Sequence, residues 1–588
     1  MEHIGLYSRN ILKERSAAWK VCFYFAFKRM EDVMLTTRNK IVKLFSLLLI
    51  LVIGVSLIGC SKSGDKNNET VTDTPATPTT GASTREKIVN IGVTDTLQSL
   101  NPILLNGGEI NKYATGMMFL PLVDLGPDLS FEPMLADSIT TEDNLNFVVH
   151  IDDAANWSDG TPVTAEDVVF TALRIASPVV ANPSMMYYAF EGVGEDGFVE
   201  EGATSISGIV AMDEKTVQFT TKYPMALTTF ENTYARYLLT LPKHKIESIP
   251  EAELSTNEWF NKPDVVSGPY IVTDYDVNHY ISYTKNDNYW RGDVNIDKLN
   301  IKIVTGSQLY AGLQSGEIDF IQQTMGVIPQ EDYTSVEALE NVKSVYGAPV
   351  TNQSVFIQTQ NEAVSDPRVR QAIVYAINRE QLVSGLLNGN GEVVDGFLSS
   401  ASPFYDASLT PLEYNPEKAK QLLEEAGWDG SKTLQFYVNS GDATFVNGAS
   451  VIAAQLQEVG IKVEIKTVDF SALMTVAGTK DYDLLAVQYT YAPVDPYPDV
   501  NWLLSGADSW TGYADTAVTE ALANTQLTSN IDEIRGLYLT IDQKVQQEVP
   551  MFSAYVISAL GAVNNRLINA TPSVYGSFNH IEKWDVTE

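Results

Sequence analysis

The chain has 588 residues, with 39 Lys or Arg against 74 Asp or Glu and a formal charge of -35. So acidic a surface repels phosphate backbones and anionic lipid headgroups, which argues against nucleic-acid binding and against electrostatic docking on a membrane. Two cysteines and five scattered histidines provide no disulfide framework and no paired-His spacing, so no metal site and no other cofactor is expected.

From Leu44 to Cys60 runs LFSLLLILVIGVSLIGC, behind Arg38, Lys40 and Lys43, the charge order of a secretory signal peptide. The run falls just short of the roughly 20 apolar residues that a membrane span needs. Its ending, Leu57-Ile58-Gly59-Cys60, resembles the lipobox of bacterial lipoproteins, which implies cleavage before Cys60 and lipid on that cysteine. Residues 1–59 are therefore expected to be a signal segment. Met1 to Val33 mixes charges and aromatics ahead of the basic region, so Met34 is the expected true start. Residues 60–87 follow as a lipidated cysteine and a Ser, Thr, Asn and Pro-rich tether that cannot bury enough surface to order itself.

Ile88 to Val93 alternates as a strand, and Asn101-Pro102 is a turn signal. Phe147 to Ile151 reads as another strand, followed by Ser158-Asp159-Gly160 turn chemistry. Thr164 then caps a helix and Asp167 can close its capping box. Val168, Val169, Leu173 and Ile175 give that helix its buried side. Pro367 opens a helix whose Val369, Ile373, Ala376 and Ile377 share a face. Asn415-Pro416 starts another, which Gly427 ends. Leu434 to Val438 and Ile461 to Ile465, with a helix expected over 448–458 between them, form a βαβ unit. The acidic loop Glu191 to Glu201 lacks calcium-loop spacing and reads as a solvated insertion.

Trp157 to Arg174, WSDGTPVTAEDVVFTALR, resembles the signature of family 5 extracellular solute-binding proteins, the oligopeptide- and dipeptide-binding receptors of ABC importers. Further landmarks follow in the family's order: Ser267-Gly268-Pro269-Tyr270, Lys285 to Trp290, Leu313 to Asp319, Asp366 to Ile373, and Asn415 to Trp428. The resemblance covers roughly residues 88–588. It implies an α/β, two-lobed periplasmic-binding-protein-like fold (type II, with an extra domain), mixed sheets flanked by helices, and a hinge between lobes. Carried onto this chain, lobe I would be 88–125, 206–303 and 551–588, the inserted domain 126–205, and lobe II 304–550.

The resemblance also implies capture rather than catalysis. The implied partners are a peptide ligand, an ABC permease and ATPase complex, and the membrane through the lipid anchor, with a monomeric receptor on the extracytoplasmic face of the cell membrane. A captured peptide's ammonium must be paired when it leaves water. Matching Asp481 to Leu484 to the family's ligand strand places Ala486, Gln488 and Thr490 along the peptide, with Tyr489 where a Trp is usual. Counting back from Trp502-Leu503-Leu504 puts Asp495 at the ammonium, whereas counting forward from Asp483 lands on Ala492; Asp499 is the fallback. Tyr491 and Tyr497 either line the pocket or are half-buried strand aromatics. The loop Asn106 to Ile110, with Gly108 and Glu109, aligns with a segment that contacts the ligand main chain. Two alternatives stay open: the same role for an oligosaccharide or metal chelate, and a secreted hydrolase, for which no nucleophile elbow or zinc motif is present and the SxxK matches at Ser63 to Lys66 and Ser282 to Lys285 have no KTG partner.

Overall fold

The computed structural model describes residues 86–587 apart from 106, 107, 183, 186, 441, 442, 507 and 508. The signal segment, the Met34 start and lipidation at Cys60 lie outside the described residues. Among those that are described, no helix is long and apolar enough to cross a membrane.

Two mixed sheets organise the chain. The first has seven strands, in the order Val342–Tyr346, Leu560–Asn564, Phe320–Ile321, Ile88–Val93, Lys298–Ile303, Tyr280–Lys285, Tyr270–Asp276. Ile88–Val93 lies at its centre, parallel to both neighbours, and Val89, Ile91 and Val93 are fully buried. The second has six, in the order Gly391–Glu392, Met551–Ile557, Thr351–Ile357, Leu484–Thr490, Thr433–Asn439, Lys462–Val468. A small antiparallel sheet of Ala136–Thr141, Asn146–Ile151, Thr216–Thr220 and Ile209–Ala211 makes the extra domain. The architecture is thus the two-lobed α/β binding-protein fold with mixed sheets flanked by helices.

Strand pairing draws the lobes along other lines than the sequence suggests. Phe320 pairs with Ile91 and Val563, and Val342–Tyr346 pairs with Leu560–Asn564, so residues 304–346, expected in lobe II, supply two strands to the first sheet. Met551–Ile557, expected in lobe I, pairs with Thr351–Phe356 in the second sheet. The small sheet likewise extends past residue 205 to Thr220. The pairings in the two large sheets join segments far apart in the sequence, and no local pattern announces them. The chain crosses between the sheets twice, at 347–350 and at Ser558-Ala559.

Several sequence landmarks prove to be structural fasteners. Thr164 caps the helix Ala165–Ile175, and its amide donates to Asp167 Oδ2 at 2.9 Å. Asp167, 4% exposed, also accepts from Trp157 Nε1 at 3.3 Å and, on Oδ1, from the Lys243 amide at 2.9 Å. One carboxylate therefore ties the turn, the helix and the segment after Pro242 together. Asp167→Ala is expected to cost about 2–3 kcal/mol of stability, because buried donors lose a charged acceptor; urea unfolding measures it.

At Gly268 a Cβ would collide with the Met117 carbonyl oxygen, so only glycine allows the two segments to approach. Asn286 Nδ2 then donates to the Gly268 carbonyl at 2.9 Å. The helix Gly306–Ser315 ends on left-handed Gly316 (φ 74°) and delivers Asp319, which is fully buried. Its Oδ1 accepts from Arg566 Nε at 2.7 Å, and its Oδ2 from Arg566 Nη2 at 2.6 Å and the Asn90 amide at 2.9 Å. The helices Pro367–Ala376 and Pro416–Ala426 start on the caps Asp366 and Asn415, and Gly427 (φ 68°) ends the second.

Candidate ligand-binding site

The lobes meet around Asp495. This residue lies in the loop between the strand Leu484–Thr490 and the helix Tyr497–Leu504, and is 4% exposed. Its Oδ1 accepts a 2.9 Å hydrogen bond from Thr229 Oγ1 on the opposite lobe, while Oδ2 is buried with no partner. Burial pushes the Asp495 carboxyl up to about 7, with the Thr229 bond opposing and the nearby Asp499 charge adding to the rise. Asp499, in the first turn of the helix, is also raised by burial, and its Oδ1 accepts from Tyr489 Oη at 2.8 Å. Tyr489 and Tyr491 lie ring to ring with centroids 4.7 Å apart.

Facing them, the helix Leu227–Phe230 runs into a π-helical turn, Glu231–Ala235, which bears Asn232 and leads to Arg236. Such widened turns redirect side chains and recur at functional sites. Arg236 donates from Nε to Asp124 Oδ1 at 2.8 Å and from Nη1 to Asn232 Oδ1 at 2.9 Å. Lys112 Nζ reaches the two Asp124 oxygens at 2.7 and 2.8 Å. Burial alone would raise Asp124, but the two cations hold it below the usual carboxylate range. The Arg236 guanidinium lies over the rings of Tyr237 and Tyr575, 5.6 and 5.4 Å from their centroids. Arg236 Nη2, Tyr113 Oη and Glu109 Oε2 are buried without hydrogen-bond partners. Burial first, with Glu109, Asp124 and Asp499 adding and Arg236 opposing, pushes the Tyr237 hydroxyl up to about 12.

The sequence-derived residues are distributed unevenly over this site. Asp495, Asp499 and Tyr489 come together on it, while Glu109 lies on the helix that carries Lys112. Gly108 caps the helix Glu109–Gly116, which positions Glu109; Asn106 and Gly107 are not described. Gln488 and Thr490 are exposed, and Thr490 Oγ1 lies 3.0 Å from Thr351 Oγ1. Ala486 does not fit the expectation. It is 1% exposed, flanked by Val355 and Val438 on paired strands, and belongs to the core of the second lobe.

The strand beyond Ala486 differs. Thr433–Asn439 pairs with it only at Leu484 to Ala486, and among the described residues no strand pairs with Val487 to Thr490 on that side. An open edge is what an added extended segment requires. Thr229, Asn232, Arg236, Lys112, Asp124 and Tyr575 were missed by sequence reasoning. Each is an ordinary residue type without a local motif, and only the fold brings them to the lobe junction. Near the first crossing, Val350 packs with Leu125, Val574 and Tyr575 of one lobe and Val494 of the other.

Two α/β lobes enclosing polar groups that lack partners form a receptor that captures a solute between them. Residues 130–511 match the family described as bacterial extracellular solute-binding proteins, family 5. The chain belongs to this family, the binding components of ABC importers, whose members are transport proteins and not enzymes; the hydrolase alternative is thereby set aside. It is 27% identical over 490 residues to the oligopeptide-binding protein AppA of Bacillus subtilis, covering 80% of this chain and 86% of that one. It is 24% identical over 478 residues to the nickel-binding periplasmic protein of Escherichia coli, covering 78% and 83%. The crystal structure of the ABC transporter substrate-binding protein CtaP from Listeria monocytogenes superimposes with a TM-score of 0.74 at 23% identity, covering 86% of this chain and all of that one. Among the described residues no group of three or more His, Cys, Asp or Glu is placed to hold a metal ion.

Proposed function

We propose that the protein captures peptides outside the cytoplasmic membrane, anchored as a monomer through lipid on Cys60, and hands them to an ABC permease. The observation that carries the reading is Asp495, a carboxylate enclosed between the lobes with one oxygen unpartnered. A buried carboxylate of this kind calls for a cation, and a peptide's α-ammonium supplies it. The open strand edge from Val487 to Thr490 supports an extended backbone in the same cleft. The relative from Bacillus subtilis, an oligopeptide-binding protein by name, points the same way.

Native mass spectrometry of the full-length protein, purified from cells without added ligand, tests the reading. A ladder of adducts that fragment into short peptides is the expected result. A single non-peptide mass would replace peptides by another solute and leave the importer role in place.

A further inference from the structure

Two helix ends, one on each lobe, satisfy each other's backbone groups across the junction. On the first lobe, Ala226 opens the helix Leu227–Phe230, and its own side chain provides no cap. The Ala226 amide donates at 3.2 Å to Oε1 of Gln526, which lies just past the helix Thr516–Thr525 of the second lobe. A helix C-terminus leaves its last carbonyls without partners in the helix. The Gln526 carbonyl accepts from Asn144 Nδ2, in the extra domain, at 3.3 Å. Gln526 is 7% exposed and Ala226 3%, so water is largely excluded from this contact.

Both gripping side chains are held in place. Thr525 Oγ1 donates to the Leu522 carbonyl at 2.7 Å and so meets Gln526 Nε2, 3.2 Å away, as an acceptor, which turns Oε1 towards Ala226. Asn144 occupies a left-handed backbone position (φ 56°), which asparagine tolerates better than most residues. Its carbonyl accepts from the Met225 amide at 2.8 Å, so the hairpin that carries it is tied to the residue next to Ala226.

We propose that Gln526 is a closure latch: its carbonyl grips the extra domain, its side chain grips the first lobe, and the second grip caps the helix that presents Thr229 to Asp495. In a capping box, a Glu or Gln inside the helix reaches back to the amide at its start. Here Gln526 does so from the other lobe. Both bonds join lobes that hinge opening separates, so the helix bearing Thr229 gains its cap only on closure. The latch acts on closure itself, whatever solute is captured.

Hydrogen exchange and small-angle scattering of the ligand-free, full-length protein at pH 5 test this. Gln526→Met removes the side-chain acceptor at similar size. Asn144→Gly suits the left-handed backbone and removes only the other bond. Each variant is expected to speed exchange of the Ala226 amide about three- to tenfold, the effect of one neutral hydrogen bond on an opening equilibrium, and to enlarge the radius of gyration. The effect of Asn144→Gly is the sharper test, because a cap local to Ala226 would not feel that change. Faster exchange in Gln526→Met alone, with an unchanged radius, would reduce Gln526 to a local cap and overturn the latch. No change in either variant would overturn it as well.

Discussion

Replacing Asp495 with alanine is expected to weaken peptide binding by about 2–5 kcal/mol, the range for removing one partner of an enclosed charge pair. The lost affinity should appear in the dissociation rate, because the carboxylate is buried and contributes little to the approach. Titration with a peptide and its N-acetylated form provides the control: acetylation removes the ammonium and should change little further in the variant. Unchanged affinity would take Asp495 out of the site.

The same carboxylate predicts how the empty protein responds to pH. In the closed arrangement without ligand its value is raised to about 7, so the closed form holds a proton that a solvated carboxyl would release. For a group raised in this way the closed, empty form is fully stable below about pH 4 and loses stability as pH rises towards 7. Asp499 is shifted in the same direction. Small-angle scattering should therefore find the ligand-free protein more compact at pH 5 than at pH 8, with a smaller difference in Asp495→Asn. An ammonium in the site removes the cost, so ligand-bound protein should stay compact at both.

Arg566→Ala is the second large effect, on stability rather than on binding. Asp319 is fully buried, and the guanidinium supplies two of its three side-chain hydrogen bonds. Removing the arginine leaves a buried, unpaired carboxylate beside the first sheet, with an expected loss of about 3–5 kcal/mol. Urea unfolding should show a lower midpoint with an unchanged slope, and Arg566→Lys should recover part of the loss.

Much of the fold is legible locally because caps and periodicity act over a few residues. Thr164 with Asp167, Asp366 with Pro367, and Asn415 with Gly427 each mark a helix end that the structure contains. The helix expected from residue 448 begins at Ala443 instead. Gly448 looked like a boundary, but a Cβ there would press on the Leu386 side chain at 2.9 Å, so it is a packing position inside the helix. Lobe boundaries were less legible, since Phe320 and Met551 join sheets through partners far away in sequence. The site was legible on the second lobe, where the family landmarks flank it, and even there alternation alone could not show that Ala486 lies in the paired half of its strand. On the first lobe the helix Leu227–Phe230 carries Thr229, the π-helical turn after it sets where Asn232 and Arg236 point, and no residue in that turn signals it.

The two crossings have a consequence for how such a chain can be rearranged. All six strands of the second sheet fall between Thr351 and Ile557, and these two residues are partners on adjacent strands. Just outside them, Tyr346 and Leu560 are partners in the first sheet. The second lobe therefore leaves the first at the place where it enters, as an inserted module does. A short turn from Tyr346 to Leu560 would close the first lobe without it, and the excised piece would have neighbouring ends. The second lobe could thus be exchanged between relatives as one uninterrupted cassette, with the first lobe left as it was.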